Sequence, residues 1–221
     1  MHEIIVPDQG RHIVLLGTNG SGKSVIAMKF LQYKQRYFAI DTQDGLDSGD
    51  TILPGKPKKI QTPQGLPLNL FLHKRIRYVP KPEYMERAVW DYVFKKFFDS
   101  STKKRPKPNT MYIDEIFHLG YGHANFPKWL PKMMTSARQR KLSIYISTQR
   151  PRMIPGEVIT ESAKIYVFFL SKEDDIKYVS GFVRKDKKAF EAELYQQQDD
   201  FSFFEIDCRK GTYLKFPAIK L

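Results

Sequence analysis

The chain has 221 residues, 41% of them hydrophobic, enough to bury the core of one α/β domain. Its single cysteine, Cys208, excludes an internal disulfide and fits a reducing, intracellular setting; no apolar stretch is long enough to cross a bilayer. With 37 Lys and Arg against 24 Asp and Glu the net charge is +13, a balance that points to a polyanion such as nucleic acid, less to an acidic membrane face.

The N-terminus does not read as a signal peptide, and there is no internal repeat. Ile13–Leu16 (IVLL) is a short apolar run ending at Gly17, the pattern of a strand buried on both faces. Lys23–Tyr33 follows with helical spacing, its apolar face carrying Val25, Ile26 and Phe30. Tyr37–Ile40 is a second strand ending at Asp41. Gly45–Leu72 changes character: prolines and glycines recur and Lys56, Lys58 and Lys59 cluster, so a long loop or small hairpin insertion is expected rather than a core element. Arg75–Val79 reads as a strand. Glu83–Phe98 reads as a helix, with Met85, Val89, Tyr92, Val93 and Phe97 on one side. The basic, proline-containing stretch Ser100–Asn109 is a linker.

Thr110–Ile113 is the next strand, ending in Asp114-Glu115. A helix is expected over Pro127–Lys141, with Pro at its start and basic residues at its end, in keeping with the helix dipole. Leu142–Ser147 is a further buried strand, Glu157–Ser162 a short helix, Ile165–Leu170 a strand and Lys172–Val183 a helix. Phe201–Asp207 and Thr212–Phe216 flank Arg209-Lys210-Gly211 as a terminal hairpin. The alternation implies a mainly parallel sheet with helices on both faces. Ligands of such sheets bind at the carboxyl ends of the strands, where Gly17, Asp41, Asp114 and Gln149 all fall.

Gly17-Thr18-Asn19-Gly20-Ser21-Gly22-Lys23-Ser24 satisfies every fixed position of G-x-x-x-x-G-K-[ST], with an apolar strand before it and a helix after it. Glycines let the backbone wrap so that its N–H groups converge on phosphate oxygens, and the helix adds its positive end. Lys23 is expected to bridge the β- and γ-phosphates of ATP and the Ser24 hydroxyl to ligate Mg²⁺. Asp114, at the end of an apolar strand, suits the role of second Mg²⁺ holder, and Glu115 that of the base that polarises attacking water. A carboxylate directly after that Asp separates hydrolytic motors from most small-molecule kinases. It also predicts a sheet in which one strand, Leu142–Ser147, lies between the P-loop strand and the Asp114 strand. Gln149 would then sit between the γ-phosphate and Glu115 as a sensor or water-orienting amide; the alternative is a solvated loop amide.

The run Ser136-Ala137-Arg138-Gln139-Arg140-Lys141-Leu142-Ser143-Ile144-Tyr145-Ile146-Ser147-Thr148-Gln149-Arg150-Pro151 resembles the segment of FtsK/HerA-superfamily ATPases in which an arginine-bearing helix leads into a strand ending in T-Q-R-P. With the P-loop and the I-D-E strand end, three motifs stand in order between about Ile13 and Val183. The short chain resembles the genome-packaging ATPases of membrane-containing and double-jelly-roll viruses. That resemblance implies a single RecA-like, ASCE-type P-loop NTPase domain over 1–221 and an ATPase that drives double-stranded DNA as a homo-oligomeric ring, a pentamer or hexamer. It further implies a portal or vertex partner, and location in the host cytoplasm or at the packaging vertex without direct membrane insertion. It makes Gln149 the sensor and Arg138 the arginine that reaches a neighbour's ATP, with Arg140 and Arg150 as alternatives; an ordinary helix-terminal cation is the plain reading of Arg138. Rival functions are an assembly or export ATPase of the zonula-occludens-toxin kind, a small-molecule kinase and a non-catalytic scaffold.

Candidate phosphate contacts to DNA are Lys56, Lys58 and Lys59; Lys74, Arg75 and Arg77; Lys103, Lys104, Arg105 and Lys107; and Arg184, Lys185, Lys187 and Lys188, with loops near the nucleotide favoured. Each is equally readable as a solvated patch. His118 and His123 read as loop histidines rather than a metal pair. Phe201, Phe203 and Phe204 read as packing for the hairpin, and Cys208 as a buried thiol.

Overall fold

The computed structural model describes residues 10–46, 52–101, 109–120, 126–197 and 200–218. Its frame is a nine-stranded sheet in the order β3-β4-β2-β5-β6-β1-β7-β8-β9. The strands are β1 Ile13–Leu16, β2 Tyr37–Asp41, β3 Lys58–Ile60, β4 Arg75–Tyr78, β5 Thr110–Asp114, β6 Ser143–Thr148, β7 Lys164–Val167, β8 Phe203–Asp207 and β9 Thr212–Phe216. β1 to β7 run parallel, and β8 and β9 add an antiparallel hairpin against β7. The strand β6 lies between β1 and β5, as the acidic pair anticipates.

Among the described residues seven α-helices flank the sheet: α1 Lys23–Gln32, α2 Leu66–Leu72, α3 Arg87–Ser100, α4 Trp129–Ala137, α5 Gly156–Thr160, α6 Glu173–Ser180 and α7 Lys187–Gln196. All four residues of β1 are fully buried, which is why it carries no polar side chain. Alternation sends Val14 and Leu16 to the face packed by α2 to α7, and Ile13 and Leu15 to the face packed by α1. On that second face Phe30 of α1 meets Tyr145 and Tyr166 at ring separations of 6.0 and 5.4 Å. No helix among the described residues is long and apolar enough to cross a membrane.

Two expectations about the elements need correction, and one element is new. The described residues of the 45–72 segment are more than a loop or hairpin: β3 extends the sheet in parallel beside β4, and Leu66 and Leu70 of α2 enter the main core. Prolines at 63 and 67 sit in the first positions of a 3-10 turn and of α2, where a missing N–H costs nothing. The helix expected over Pro127–Lys141 stops at Ala137 and tightens into a 3-10 turn over Arg138–Arg140. The helix α7 was not anticipated; only Phe190 and Leu194 of it are buried, one i,i+4 pair.

Candidate nucleotide site

The P-loop joins β1 to α1 at the carboxyl edge of the sheet. Gly17 leaves β1 with its N–H on the Thr148 carbonyl at 3.2 Å, and the Thr18 N–H reaches the Phe169 carbonyl at 2.9 Å. The loop is therefore tied to the strands on both sides of β1. A Cβ at Gly17 would lie 2.7 Å from Phe168 Cβ and from Ser21 Oγ, so no other residue fits. Gly22, the residue before α1, has φ 99°, a left-handed conformation that disfavours a side chain. Lys23 Nζ donates to the Thr18 carbonyl at 2.5 Å, and Ser21 Oγ to the same oxygen at 2.9 Å. Lys23 is thus folded over its own loop, 7% exposed, with its charge near enough to act on Asp114.

Asp114 closes β5. Its Oδ1 accepts from Tyr112 Oη and from Ser147 Oγ, each at 2.8 Å. Burial raises its pKa above the ordinary carboxylate value, the hydrogen bonds from Tyr112 and Ser147 oppose that, Asp41 adds to it and the Lys23 charge again lowers it. The Ser24 hydroxyl lies near enough to the same Tyr112 phenol to oppose, slightly, the rise that burial imposes on it. A desolvated carboxylate and a hydroxyl thus meet around one phenol, a hard-oxygen donor pair that suits Mg²⁺ bound together with a nucleotide's phosphates.

Glu115 has φ 45° and ψ 73°, left-handed for a non-glycine residue. That turn sends its carboxylate sideways toward the end of β6. There Thr148 Oγ1 donates to Oε1 at 2.9 Å and the Gln149 backbone N–H to Oε2 at 3.0 Å. The Glu115 N–H is itself held by Ser147 Oγ at 3.1 Å. Sequence reasoning missed Ser147 and Thr148; consecutive hydroxyls at the end of a strand beside the acidic pair were the available signal. Gln149 is half-buried, and its contact with Glu115 runs through its backbone.

The P-loop, Asp114, Glu115 and Gln149 thus lie together, and the expected arginines Arg138 and Arg140 do not join them. The register couples Leu16 to Thr148 and Ile113 to Ile146, which sets P-loop, acidic pair and Gln149 side by side at one sheet edge. Asp41, at the end of β2, does other work: it accepts from the Gly45 and Leu46 N–H groups and from Arg77 Nε at 2.9 Å. Arg77, 3% exposed, is committed to Asp41 and Asp44 and is no DNA contact. Arg140 is likewise committed within its own chain. Its Nη1 donates to the Phe98 carbonyl at 3.1 Å and its guanidinium lies 3.6 Å over the Phe98 ring, at the end of α3. Arg138 opens the same 3-10 turn, before β6 begins and so at the opposite end of that strand from Gln149; its side chain lies outside the described residues. Arg150 is exposed beside Gln149, and its N–H donates to Thr148 Oγ1 at 3.0 Å.

His118 Nδ1 shares a hydrogen bond of 2.9 Å with Thr42 Oγ1, joining the turn after β5 to the end of β2. His123, and the cluster Lys103, Lys104, Arg105 and Lys107, lie outside the described residues. Among the described residues no group of three His, Cys, Asp or Glu side chains is placed to hold a metal. Burial pushes the Cys208 thiol up to about 12, and it takes no part in the site.

No family model matches the chain. Over 193 residues, 83% of this chain and 74% of the other, it is 26% identical to the DNA packaging ATPase P9 of Enterobacteria phage PRD1. Its fold superposes with a TM-score of 0.74 on the genome packaging NTPase B204 of Sulfolobus turreted icosahedral virus 2 bound to AMPPCP, at 15% identity, covering 96% of this chain and 98% of that one. The B204 DNA-packaging ATPase of Sulfolobus turreted icosahedral virus matches with a TM-score of 0.73 at 14% identity, over 97% and 100% of the two chains. In sequence the chain is thus similar to a viral DNA packaging ATPase, and in fold to viral genome packaging NTPases, with its P-loop at the carboxyl edge of a mainly parallel sheet.

Proposed function

We propose that this chain is an ATP-driven double-stranded DNA translocase of a viral packaging motor, working as a ring of identical subunits docked on a portal or vertex protein. The observation that carries this reading is the junction of Glu115 with the end of β6, beside the P-loop. It puts a carboxylate base next to the place where a γ-phosphate on Lys23 would lie. Lys23 leaves the Thr18 carbonyl for the phosphates, and the loop N–H groups and the start of α1 hold the remaining oxygens. Asp114 and Ser24 would hold Mg²⁺, which when bound would offset phosphate charge. Glu115 takes a proton from water as the water oxygen attacks the γ-phosphorus and ADP leaves. Gln149 orients that water or reads the γ-phosphate.

Arg138, at the far end of β6, serves a neighbour's nucleotide rather than its own, because the strand spans roughly 20 Å. Arg150 is the remaining candidate for the same duty. The basic residues that precede the strands form the surface for DNA phosphates.

The test is phosphate release by wild-type and Glu115→Gln proteins, with and without duplex DNA. Glu115→Gln is expected to bind ATP normally and to hydrolyse it about 10²–10⁴-fold more slowly. Normal hydrolysis by that variant removes Glu115 from the mechanism and the motor reading with it.

A further inference from the structure

Of the three phenylalanines expected to pack the hairpin, two do so. Phe203 stacks on Phe216 and Phe168 at 5.2 and 5.3 Å, and Phe204 packs edge-on to Phe190 at 5.3 Å. Phe201 does not: it is 55% exposed. It also holds φ 62°, a left-handed backbone that bulky residues avoid. The residues around it keep it there. Asp200 Oδ1 accepts from the Ser202 N–H at 3.0 Å, and Gln197 Nε2 donates to the Ser202 carbonyl at 3.0 Å. An exposed ring on a strained, pinned backbone is a feature that packing does not explain.

Its position is informative. The strand β8 runs antiparallel to β7 with Phe204 opposite Val167, the last residue of β7. Phe201, just before β8, therefore stands at the carboxyl edge of the parallel strands, the edge that carries the P-loop. Its ring lies 3.5 Å from where a Cβ on Gly22 would sit, beside the first turn of α1. The sheet order adds a direction. A triphosphate on the P-loop must point its cleaved end toward Asp114 and Glu115, on the β5–β6 side of β1. Its other end, which carries the nucleoside, then leaves on the β7–β8 side, where Phe201 waits.

We infer that Phe201 is the stacking platform for the base of the bound nucleoside triphosphate; this rests on the P-loop being the triphosphate site. A ring face holds a base by area and polarisability rather than by donor–acceptor pattern. Purines, with the larger face, gain more than pyrimidines, and adenine and guanine are held alike.

The experiment is calorimetric titration of wild type, Phe201→Asn and Phe201→Trp with ATP, CTP and inorganic tripolyphosphate. Asn is chosen because it tolerates left-handed backbone while removing the ring; thermal unfolding confirms that each variant is folded. Phe201→Asn is expected to weaken ATP about tenfold, CTP less, and tripolyphosphate not at all. Phe201→Trp is expected to hold ATP at wild-type strength, with its added fluorescence quenched by ATP and unchanged by tripolyphosphate. Equal ATP affinity in wild type and Phe201→Asn overturns the stacking role, as does an equal loss for ATP and tripolyphosphate. If wild type binds tripolyphosphate no better than a Lys23→Ala protein does, the triphosphate site itself falls, and the base platform with it.

Discussion

Thr148 is a single hydroxyl that links Glu115, the proposed base, to the backbone of Arg150. It donates to Glu115 and accepts from the N–H of Arg150, an exposed residue at the nucleotide edge. Whatever displaces Arg150 therefore moves the hydrogen bond that holds Glu115. Thr148→Val keeps the shape, removes both bonds and leaves a backbone N–H short of a partner. Because the Gln149 N–H still holds Glu115, the expected loss is partial: kcat lower by about tenfold, with KM for ATP nearly unchanged, since the residue touches the base and not the nucleotide. Thr148→Ser, which restores both bonds, should restore the rate. A rise in KM with kcat intact, or a Ser variant as slow as Val, would assign Thr148 to mere packing. At this scale the motifs made placement legible: Lys23, Ser24, Asp114 and Glu115 follow the ends of β1 and β5 at one sheet edge, because motif spacing ties them to the strand ends. The residues that hold them, Tyr112, Ser147 and Thr148, were invisible as such, since a hydroxyl in a strand is ordinary until the register shows what it faces.

The elements tell the same story with a different cause of error. β1, β5 and β6 are buried on both faces, so unbroken apolar runs betray them, and their order followed from Asp114-Glu115. The 45–72 segment was misread because its three-residue strand β3 carries two exposed lysines and one buried isoleucine, too little periodicity to register. What anchors that edge of the sheet is polar. Arg77 of β4 bridges Asp41 at the end of β2, both almost wholly buried. The turn after β2 adds two backbone N–H groups to the same carboxylate. Removing one member strands the other charge in the interior, at a cost of about 3–5 kcal/mol. Arg77→Met should therefore lower the melting temperature by roughly 10 °C for a chain of this size, read by thermal unfolding. Asp41→Asn combined with Arg77→Met should be less damaging than the sum of the two single changes, because the buried charge goes with its partner. Strict additivity would mean that the pair is not coupled. Any loss of DNA binding in Arg77→Met is then expected to track unfolding rather than a missing phosphate contact.

At the scale of the whole molecule, a line of cations follows the amino edge of the sheet among the described residues. The parallel strands begin just after basic residues: Arg11 before β1, Arg36 before β2, Lys74 before β4 and Lys141 before β6. Arg184 and Lys185 join this side, since their N–H groups donate to the Gly211 carbonyl in the β8–β9 turn, next to exposed Arg209 and Lys210. That turn adjoins Lys164, the first residue of β7. A band of cations thus lies at the amino edge of the sheet, a strand's length from the nucleotide, in addition to exposed Lys81, Arg150, Arg152 and Lys172, which follow β4, β6 and β7 at the nucleotide edge that sequence reasoning favoured. A duplex held at the amino edge leaves the ATP site open, so DNA and ATP need not compete. The combined change Lys185→Glu, Arg209→Glu and Lys210→Glu should weaken duplex DNA about tenfold or more at low salt and leave ATP affinity intact. Each lost phosphate contact should also flatten the dependence of log affinity on log salt by about 0.9, measured by fluorescence anisotropy across a salt series and with unrelated duplex sequences. Sequence independence is expected, because phosphate contacts carry no base information. If the triple variant binds DNA as wild type does, with the same salt slope, the duplex runs along the carboxyl edge instead, and the basic amino edge serves solubility or the docking of an acidic partner.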